Sequence, residues 1–342
     1  MRTIYVISGV TGMTGNELAR QLIKNEENEV VGFDNFFASS IDTIEDIIDN
    51  PHLHFFERDI NNEKHLQEIK DKVLSLGEGK VVYINCAAVV HTEYFYEINS
   101  TYETNVESMR KFLQQAIEIK ASIFINCSTS EVYSMHSWAD GGVRESDFLE
   151  LATAEHSQRT SYATGKLLTE FFMKDAVEKG LIRGCSIRFA NVYSNHERFA
   201  KHIIPHIINS LREKEEVVLL ENSRKNKRTF LHNIDSCRAV LDLIESPVAL
   251  DGSVYNVATD EEISIIDLVN KIGEKLGLDS PRITFKDYRL SDPERRILNT
   301  EKIREKTKWK PIISLDKGLD LCLEQFNNDN TYHYSCGFCD TI

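Results

Sequence analysis

Near the start of the chain stands Thr3-Ile4-Tyr5-Val6-Ile7-Ser8-Gly9-Val10-Thr11-Gly12-Met13-Thr14-Gly15, the stretch that best indicates the fold. Its first half is an apolar, β-branched run that predicts a buried strand, and the glycines follow directly. Glycines let the backbone turn tightly and approach a phosphate, while a helix that begins there presents N–H groups and the positive end of its dipole. The spacing is G-x-x-G-x-x-G, so a plain strand–helix turn is the alternative interpretation.

An acidic residue follows at the distance that a dinucleotide site requires. Asp34 ends the second predicted strand, 19 residues after Gly15, where its carboxylate can accept hydrogen bonds from ribose hydroxyls. The same charge repels a 2′-phosphate, so we predict NAD and not NADP. We expect Asp59-Ile60 near the adenine and Ala87-Ala88 beside the pyrophosphate.

Short β-branched runs alternate with amphipathic stretches over about the first 190 residues. The predicted strands are 3–8, 29–34, 53–57, 80–85, 122–127 and 184–189, and the predicted helices lie near 13–25, 62–76, 101–119 and 161–179. This alternation implies right-handed crossovers and a parallel sheet covered on both faces. We therefore predict a doubly wound α/β fold of the Rossmann type.

The pattern changes after residue 191. Helical stretches near 198–214 and 264–277 are interrupted by short strands such as 217–220, and arginines cluster in 228–234 and 287–296. We expect residues 1–190 to bind the cofactor, with part of 229–258 returning to that domain. Residues 191–330 then form a smaller, mixed substrate-binding lobe, and 331–342 form a tail.

Composition excludes several classes of protein. The 342 residues carry a formal net charge of −14, which argues against nucleic acid as a partner because phosphates need a basic surface. A hydrophobic content of 41% is that of a globular protein, and no apolar run approaches the ~20 residues of a membrane span. The first residues lack the pattern of a signal peptide. Most of the seven cysteines are scattered singly along the sequence. We expect a cytoplasmic protein with reduced thiols.

A metal site has one possible location in the sequence. Cys336 and Cys339 form a C-x-x-C pair near His333, and a tetrahedral zinc would need Cys322 as its fourth ligand. A single C-x-x-C pair in a tail is more often incidental, and we predict no metal.

Tyr162 and Lys166 stand four residues apart, on one face of a predicted helix. A nearby ammonium favours the phenolate, so we expect a lowered pKa for Tyr162 and a role as a base. Thr129, at the end of the fifth strand, can bond the same substrate hydroxyl. Glu131 is a candidate second acid/base, or alternatively a carboxylate that pairs with an arginine or caps a turn.

With these motifs together, the chain resembles the extended short-chain dehydrogenase/reductase family, in particular its nucleotide-sugar epimerases, dehydratases and decarboxylases. The resemblance covers about residues 3–325 and rests on the following motifs: Gly9/Gly12/Gly15, Asp34-Asn35, Ala87-Ala88, Thr104-Asn105-Val106, Ser128-Thr129-Ser130-Glu131-Val132-Tyr133, Tyr162/Lys166, 188–193, 228–235, 292–296 and 309–311.

The resemblance implies roles for individual residues. The cofactor-binding residues would be Gly9, Gly12, Met13, Gly15, Asp34, Asn35, Asp59, Ile60, Ala87, Ala88, Asn105, Tyr162 and Lys166. Thr129, Tyr162 and Lys166 match the catalytic triad. Asn191 would contact the sugar-linked phosphate and Arg228 the diphosphate, with Arg289, Arg295 and Arg296 competing for a second phosphate contact. The family also implies a homodimer formed by helices 101–119 and 161–179.

The implied reaction begins with hydride transfer from a sugar carbon, usually C4, to NAD. The resulting ketone permits dehydration to a 4-keto-6-deoxy sugar, 4-epimerisation, decarboxylation of a uronic acid or net oxidation. Glu131 stands where dehydratases carry a glutamate, so a 4,6-dehydratase is favoured. An NAD-binding scaffold without activity is the alternative from another class. Ser134, Ser194-Asn195 and Asn85 depart from the family pattern in loops that shape the pocket.

Overall fold

The computed structural model describes residues 2–135, 141–197, 199–214, 216–290 and 292–328. Its strands are β1 (Thr3–Ser8), β2 (Asn28–Asp34), β3 (Leu53–Glu57), β4 (Lys80–Asn85), β5 (Ile123–Thr129), β6 (Arg183–Phe189), β7 (Asn191–Tyr193), β8 (Glu216–Leu220), β9 (Lys227–His232), β10 (Asp251–Val257), β11 (Glu262–Ser264), β12 (Arg282–Lys286) and β13 (Arg295–Arg296). Its helices are α1 (Met13–Leu22), α2 (Glu63–Ser75), α3 (Ile98–Tyr102), α4 (Met109–Glu118), α5 (Thr160–Glu178), α6 (Ile203–Lys214), α7 (Asn233–Glu245), α8 (Ile265–Lys275), α9 (Glu301–Thr307) and α10 (Leu315–Asn328).

A seven-stranded parallel sheet forms the centre of the molecule, in the order β10-β6-β5-β4-β1-β2-β3. The sheet confirms the predicted doubly wound, Rossmann-type fold. Chain order reverses between β1 and β4, and ligands of such sheets bind in the crevice at the carboxyl ends of the strands there.

The sheet is buried on both faces, as the continuous apolar runs predict. Successive residues of β1 point in opposite directions: Tyr5 and Ile7 pack with α1 and α7, while Ile4 and Val6 pack with α2, α4 and α5. Burial of each such side chain contributes about 1.5–3 kcal/mol.

The predicted helix 101–119 is divided in the structure. It consists of α3, a wide π-helical segment over Glu103–Ser108, and α4. The wide segment carries Asn105, whose side chain bonds the backbone of Val89. A tertiary contact therefore accompanies the change of helix type, which periodicity alone does not reveal.

The later part of the chain supplies elements to two places. β10 pairs with β6 in the main sheet and α7 packs against α1. A smaller, mixed sheet is built on β9, which pairs with β7, β11 and β13. A separate cluster of buried side chains from α6, α8 and α10 packs against this smaller sheet. We call the smaller sheet and these three helices the second lobe. No helix in the described part of the chain is long and apolar enough to span a bilayer.

Candidate active site

A cavity of about 470 Å³ opens at the carboxyl ends of the central strands. Its walls include these residues predicted from the sequence: Gly9, Gly12, Met13, Gly15, Asp34, Asn35, Asp59, Ile60, Ala87, Ala88, Thr129, Glu131, Tyr162 and Lys166. The fold thus brings the glycine-rich loop and the tyrosine–lysine helix to one cavity.

The glycine-rich loop has no room for side chains. Gly9 has φ +72°, and a Cβ there would lie 2.8 Å from the backbone nitrogen of Ala87. A Cβ on Gly15 would lie 2.1 Å from the carbonyl oxygen of Gly9. Gly12 precedes α1 without a side-chain cap, so the first N–H groups of the helix suit a phosphate. This cradle fits the pyrophosphate of a dinucleotide.

Asp34 is held in place at the end of β2. Its carboxylate accepts hydrogen bonds from the backbone nitrogens of Thr11 (3.2 Å) and Phe36 (2.9 Å). Burial raises the pKa of Asp34, although these bonds oppose the effect. The fixed carboxylate faces the cavity where a ribose would lie, and so the residues present fit NAD.

Asn105 and Asn85 lie behind the cavity wall. Asn105 does not line the cavity: its side chain accepts from Val89 N at 2.7 Å and donates to Val89 O at 3.0 Å. In this structure Asn105 therefore acts on the predicted cofactor site through the backbone of Val89. Asn85 accepts a bond from the hydroxyl of Ser8 and fixes the end of β4 beside that of β1.

Tyr162 lies beside the side chain of Thr129, and its pKa lies well above the usual range. Burial is the main cause, and the negative charge of Glu131 adds to it. The expected lowering of the Tyr162 pKa is therefore wrong for this structure. Lys166 does not offset burial, since its Nζ donates to the carbonyl oxygen of Cys127 at 2.9 Å. Burial lowers the pKa of Lys166 itself to about 8.

The sequence analysis missed an aromatic support for Tyr162. Phe95 also lines the cavity, and its ring is stacked on that of Tyr162 with centroids 4.2 Å apart and planes 6° from parallel. The guanidinium of Arg159 lies 5.6 Å from the centre of the Phe95 ring. Arg159 could have been noticed, because it precedes Tyr162 by three residues, whereas nothing local marks Phe95.

Glu131 lies between two arginines. One carboxylate oxygen accepts a hydrogen bond from Arg296, and the other lies 3.3 Å from Nη1 of Arg159. Burial would raise the pKa of Glu131, but the charges of Arg296 and Arg159 lower it to about 2. The alternative interpretation of Glu131, as a carboxylate that pairs with an arginine, describes what the structure contains.

The other predicted substrate residues lie around this pair. Arg228 is buried and pairs with Asp292 at 2.8 Å, while Arg295 donates to Glu262 at 2.6 Å. Arg289 is partly buried, and its pKa is lowered by burial and by the charge of Arg159. Asn191 begins β7, next to cavity-lining Ala190 and Val192. None of Asn191, Arg228, Arg289, Arg295 and Arg296 lines the cavity.

A further polar cluster at the cavity was not found from sequence. Its members are His91, Glu197 and His202, which line the cavity, and Phe199. They come from the loop after β4 and the segment between β7 and α6, and only the fold brings them together.

Two departures from the family pattern have visible consequences. Ser134 adopts φ +48°, in the left-handed region that favours glycine. Ser194 accepts hydrogen bonds from the backbone of His196 through its hydroxyl and of Glu197 through its carbonyl.

Within the described ranges, no three His, Cys, Asp or Glu side chains are grouped to hold a metal ion. Cys322 is buried in the core of the second lobe. The remaining members of the possible zinc site, His333, Cys336 and Cys339, lie outside the described residues.

Comparison with known proteins defines the class. The profile of the "NAD dependent epimerase/dehydratase family" matches residues 5–258. The chain is 25% identical over 328 residues to the low-salt glycan biosynthesis protein Agl12 of Haloferax volcanii, covering 95% of this chain and 99% of that one. It is 26% identical to UDP-glucuronic acid decarboxylase 5 of Arabidopsis thaliana, covering 94% and 88%. The dTDP-glucose 4,6-dehydratase DesIV of Streptomyces venezuelae, solved with NAD bound, has the same fold, with a TM-score of 0.82, 20% identity and coverages of 95% and 97%.

The chain belongs to the NAD-dependent epimerase/dehydratase family. It is an enzyme of that class, and its cofactor is NAD. The resemblance stated from the sequence motifs is confirmed.

Proposed function

We propose that this protein oxidises C4 of a nucleotide-diphosphate sugar to a ketone. The main support for this proposal is that Thr129, Tyr162 and Lys166 line the same cavity as the glycine-rich loop and Asp34. The loop and Asp34 bind NAD, which when bound accepts the hydride from the sugar carbon. The similar proteins named above include enzymes of nucleotide sugars, which supports this substrate class.

Thr129 and Tyr162 act on the sugar hydroxyl. Their side chains lie beside each other at the cavity, so a hydroxyl placed between them contacts both. The buried phenol is protonated, and it must release this proton before it can accept another. The proton leaves to solvent through the cavity, and Lys166, one helical turn away, is assigned to the cofactor, as the family resemblance implies.

Replacement of the phenol tests this assignment. Tyr162→Phe should abolish the NADH absorbance that appears when substrate is mixed with the enzyme, while NAD still binds, because the change removes the base and spares the cofactor cradle. Near-normal NADH formation in this variant would show that the triad is misplaced.

Dehydration across C5 and C6 is the principal proposed outcome. The dehydratase among the similar structures supports it, as do the acid/base side chains besides Tyr162 that line the cavity. We further assign Asn191, Arg228, Arg289, Arg295 and Arg296 to the binding of the substrate's sugar and diphosphate, as the family resemblance implies.

Decarboxylation of a nucleotide uronic acid is a second candidate, favoured by one observation. The guanidiniums of Arg159 and Arg296 both act on the carboxylate of Glu131 and lower its pKa. Arg289 is close enough to Arg159 for that positive charge to lower the pKa of Arg289. Guanidinium groups bind carboxylates, so this group of arginines suits a uronic acid substrate, and the similar UDP-glucuronic acid decarboxylase supports the candidate.

Product analysis distinguishes these outcomes. The protein is incubated with UDP-, GDP-, CDP- and dTDP-linked hexoses and uronic acids, and the products are weighed by mass spectrometry. Loss of water indicates dehydration and loss of carbon dioxide indicates decarboxylation. Loss of two hydrogens indicates net oxidation, and an isomer of unchanged mass indicates epimerisation. Absence of both NADH and product with every sugar would contradict the proposed function and favour an NAD-binding scaffold.

We also propose a cytoplasmic homodimer. Ile98 and Tyr102 of α3 and Leu168 and Phe171 of α5 are exposed apolar residues on helices that contact each other. A second copy would bury them. The thiols of Cys86 and Cys127, 3.8 Å apart and not joined by a disulfide, fit a reducing compartment. Sedimentation should give a dimer that Phe171→Asp dissociates, and a monomer at micromolar concentration would contradict the dimer.

A further inference from the structure

The loop after β7 directs an acidic side chain into the cavity. The hydroxyl of Ser194 accepts a hydrogen bond from His196 N at 3.0 Å, and the carbonyl of Ser194 accepts one from Glu197 N at 3.2 Å. This turn places the side chain of Glu197 against the cavity with only 8% of it exposed. Ser194 and Asn195 stand where the family pattern has Gly-Pro, so the side-chain hydrogen bond of this turn departs from that pattern.

Glu197 holds an imidazole. One of its carboxylate oxygens lies 2.9 Å from Nδ1 of His202, and the other accepts a hydrogen bond from Phe199 N at 3.3 Å. Burial would raise the pKa of Glu197, but the charge and hydrogen bond of His202 keep it below the usual range. An ionised carboxylate bonded to Nδ1 fixes the orientation of the ring and strengthens the imidazole as a base at Nε2.

The His202 ring is further supported by aromatic neighbours. Phe199 lies edge-on to it at 4.9 Å between ring centroids, and His91 lies at 5.3 Å. His91 is itself stacked on Phe199 at 3.7 Å. These contacts keep His202 beside the cavity while about a third of its side chain is exposed.

The cluster is connected to the catalytic tyrosine by one short segment of chain. A short 3₁₀ segment, Thr92–Tyr96, connects His91 to Phe95, whose ring is stacked on that of Tyr162. Four residues of 3₁₀ helix rise about 8 Å. His91, which supports His202, and Phe95, which supports Tyr162, are joined by one turn and line one cavity. The imidazole cluster and the phenol can therefore face the same small substrate.

Glu131 is poorly suited to move a proton at C5. It is bound to Arg296 and Arg159, and both guanidiniums are at least nine-tenths buried. A carboxylate held ionised by two buried cations is a weak base. Another group at the cavity is therefore needed for a proton at C5 of the sugar.

We propose that His202, oriented by Glu197, is the acid/base that moves the C5 proton of the 4-keto sugar. The inference rests on the proposed function. After C4 oxidation, Nε2 of His202 takes the C5 proton, and the electrons of the C5–H bond form the C4–C5 enolate. The imidazolium gives this proton to the C6 oxygen, which leaves as water while the enolate electrons form the C5–C6 double bond. Bound NADH would supply the hydride that C6 receives, and His202, protonated again from solvent, donates a proton to C5.

The test compares His202→Asn with His206→Asn. The amide introduced by His202→Asn keeps a hydrogen-bonding group next to Glu197. His206 lies one helical turn further on, where its ring bonds Val218 O outside the cavity. Each variant is mixed with substrate in deuterated water. NADH absorbance, dehydrated product and deuterium at C5 are then measured by stopped flow, mass spectrometry and NMR.

We expect His202→Asn to form NADH within a few-fold of the unchanged enzyme, while product and C5 deuterium fall by roughly 10²–10⁴. Glu197→Gln should show the same pattern with a smaller loss, and His206→Asn should match the unchanged enzyme. Product and deuterium within a few-fold of the control would overturn the proposal. Loss of the NADH signal in His202→Asn would also overturn it, because His202 would then organise the pocket. If the unchanged enzyme forms no NADH, the proposed function has failed instead.

Discussion

The ring of Tyr162 lies face to face with the ring of Phe95, with centroids 4.2 Å apart and planes 6° from parallel. Tyr162 is on α5, whereas Phe95 is in the segment that follows β4, so the orientation of the phenol depends on a loop. This relationship links the rate of the first chemical step to a residue that need not touch the sugar.

Phe95→Leu should slow NADH formation by roughly tenfold or more, because a misaligned phenol loses the geometry of proton transfer. NAD binding should be unchanged, since the cofactor contacts of the glycine-rich loop remain. Single-turnover kinetics and NAD titration measure the two effects. Glu178→Ala is the control, as Glu178 is an exposed residue of the same helix as Tyr162. An equal loss in both variants would mean that the stacking has no specific role.

Asp34 should make the enzyme bind NAD far better than NADP. The carboxylate is fixed by Thr11 N and Phe36 N and cannot turn away from a 2′-phosphate. Asp34→Asn keeps an acceptor for one of these bonds but removes the charge. We expect the variant to narrow the ratio of the two dissociation constants by about tenfold or more, roughly 1.4 kcal/mol. Comparable affinities of the unchanged enzyme for NAD and NADP would contradict the assignment.

Local signals were enough to predict that the glycines, Asp34 and the Ala87-Ala88 pair lie at one cavity. Each of them stands at or just after the carboxyl end of a strand, so their positions depend on short-range geometry and sheet order. The direction of the Tyr162 pKa could not be predicted in the same way. Helical spacing places Lys166 near the phenol, but only the folded structure shows its ammonium bonded to Cys127 O.

The sugar end of the site depends on contacts between distant segments. His91 and His202 are more than a hundred residues apart in the sequence, and Glu131 meets Arg296 only because β13 pairs with β9. No periodicity or motif encodes such pairs. Family motifs identified Arg296 and Glu131 separately. The ion pair between them, which changes the role expected for each residue, is visible only in the tertiary structure.

Lys166 should lower stability at neutral pH. Its pKa in the folded protein is about 8, below the ordinary value of 10.5, because the buried ammonium is desolvated. The unfolded chain therefore binds more protons between these two values, and stability rises with pH across that window. Lys166→Met should raise the free energy of unfolding by about 1–3 kcal/mol at neutral pH while it abolishes activity.

Urea unfolding at neutral pH and at pH ~10 measures this effect. The advantage of Lys166→Met should shrink at the higher pH, where Lys166 is neutral in the folded protein. Lys179→Met, at an exposed site just after α5, should change stability little at either pH. A less stable Lys166→Met would show that the hydrogen bond to Cys127 O outweighs desolvation.

Glu131→Gln should weaken substrate binding and stability more than it affects the proton at C5. The substitution leaves the buried guanidiniums of Arg159 and Arg296 without their counter-charge, at a cost of roughly 3–5 kcal/mol. The pKa of Glu131 is lowered from 4.5 to about 2, so its contribution is complete above the higher value and is lost as pH falls through the lower one. At neutral pH the variant should therefore show the full loss of stability.

Three measurements separate the roles of Glu131: urea unfolding, KM for the nucleotide sugar, and deuterium incorporated at C5 for each NADH formed. We expect lower stability, a higher KM and an unchanged deuterium ratio, because the arginines lose their positions while His202 keeps its own. Glu107→Gln, which breaks an exposed pair with Arg110, should alter none of the three. If Glu131→Gln instead retains stability, KM and NADH formation but loses deuterium and water elimination, Glu131 itself moves the C5 proton and His202 does not.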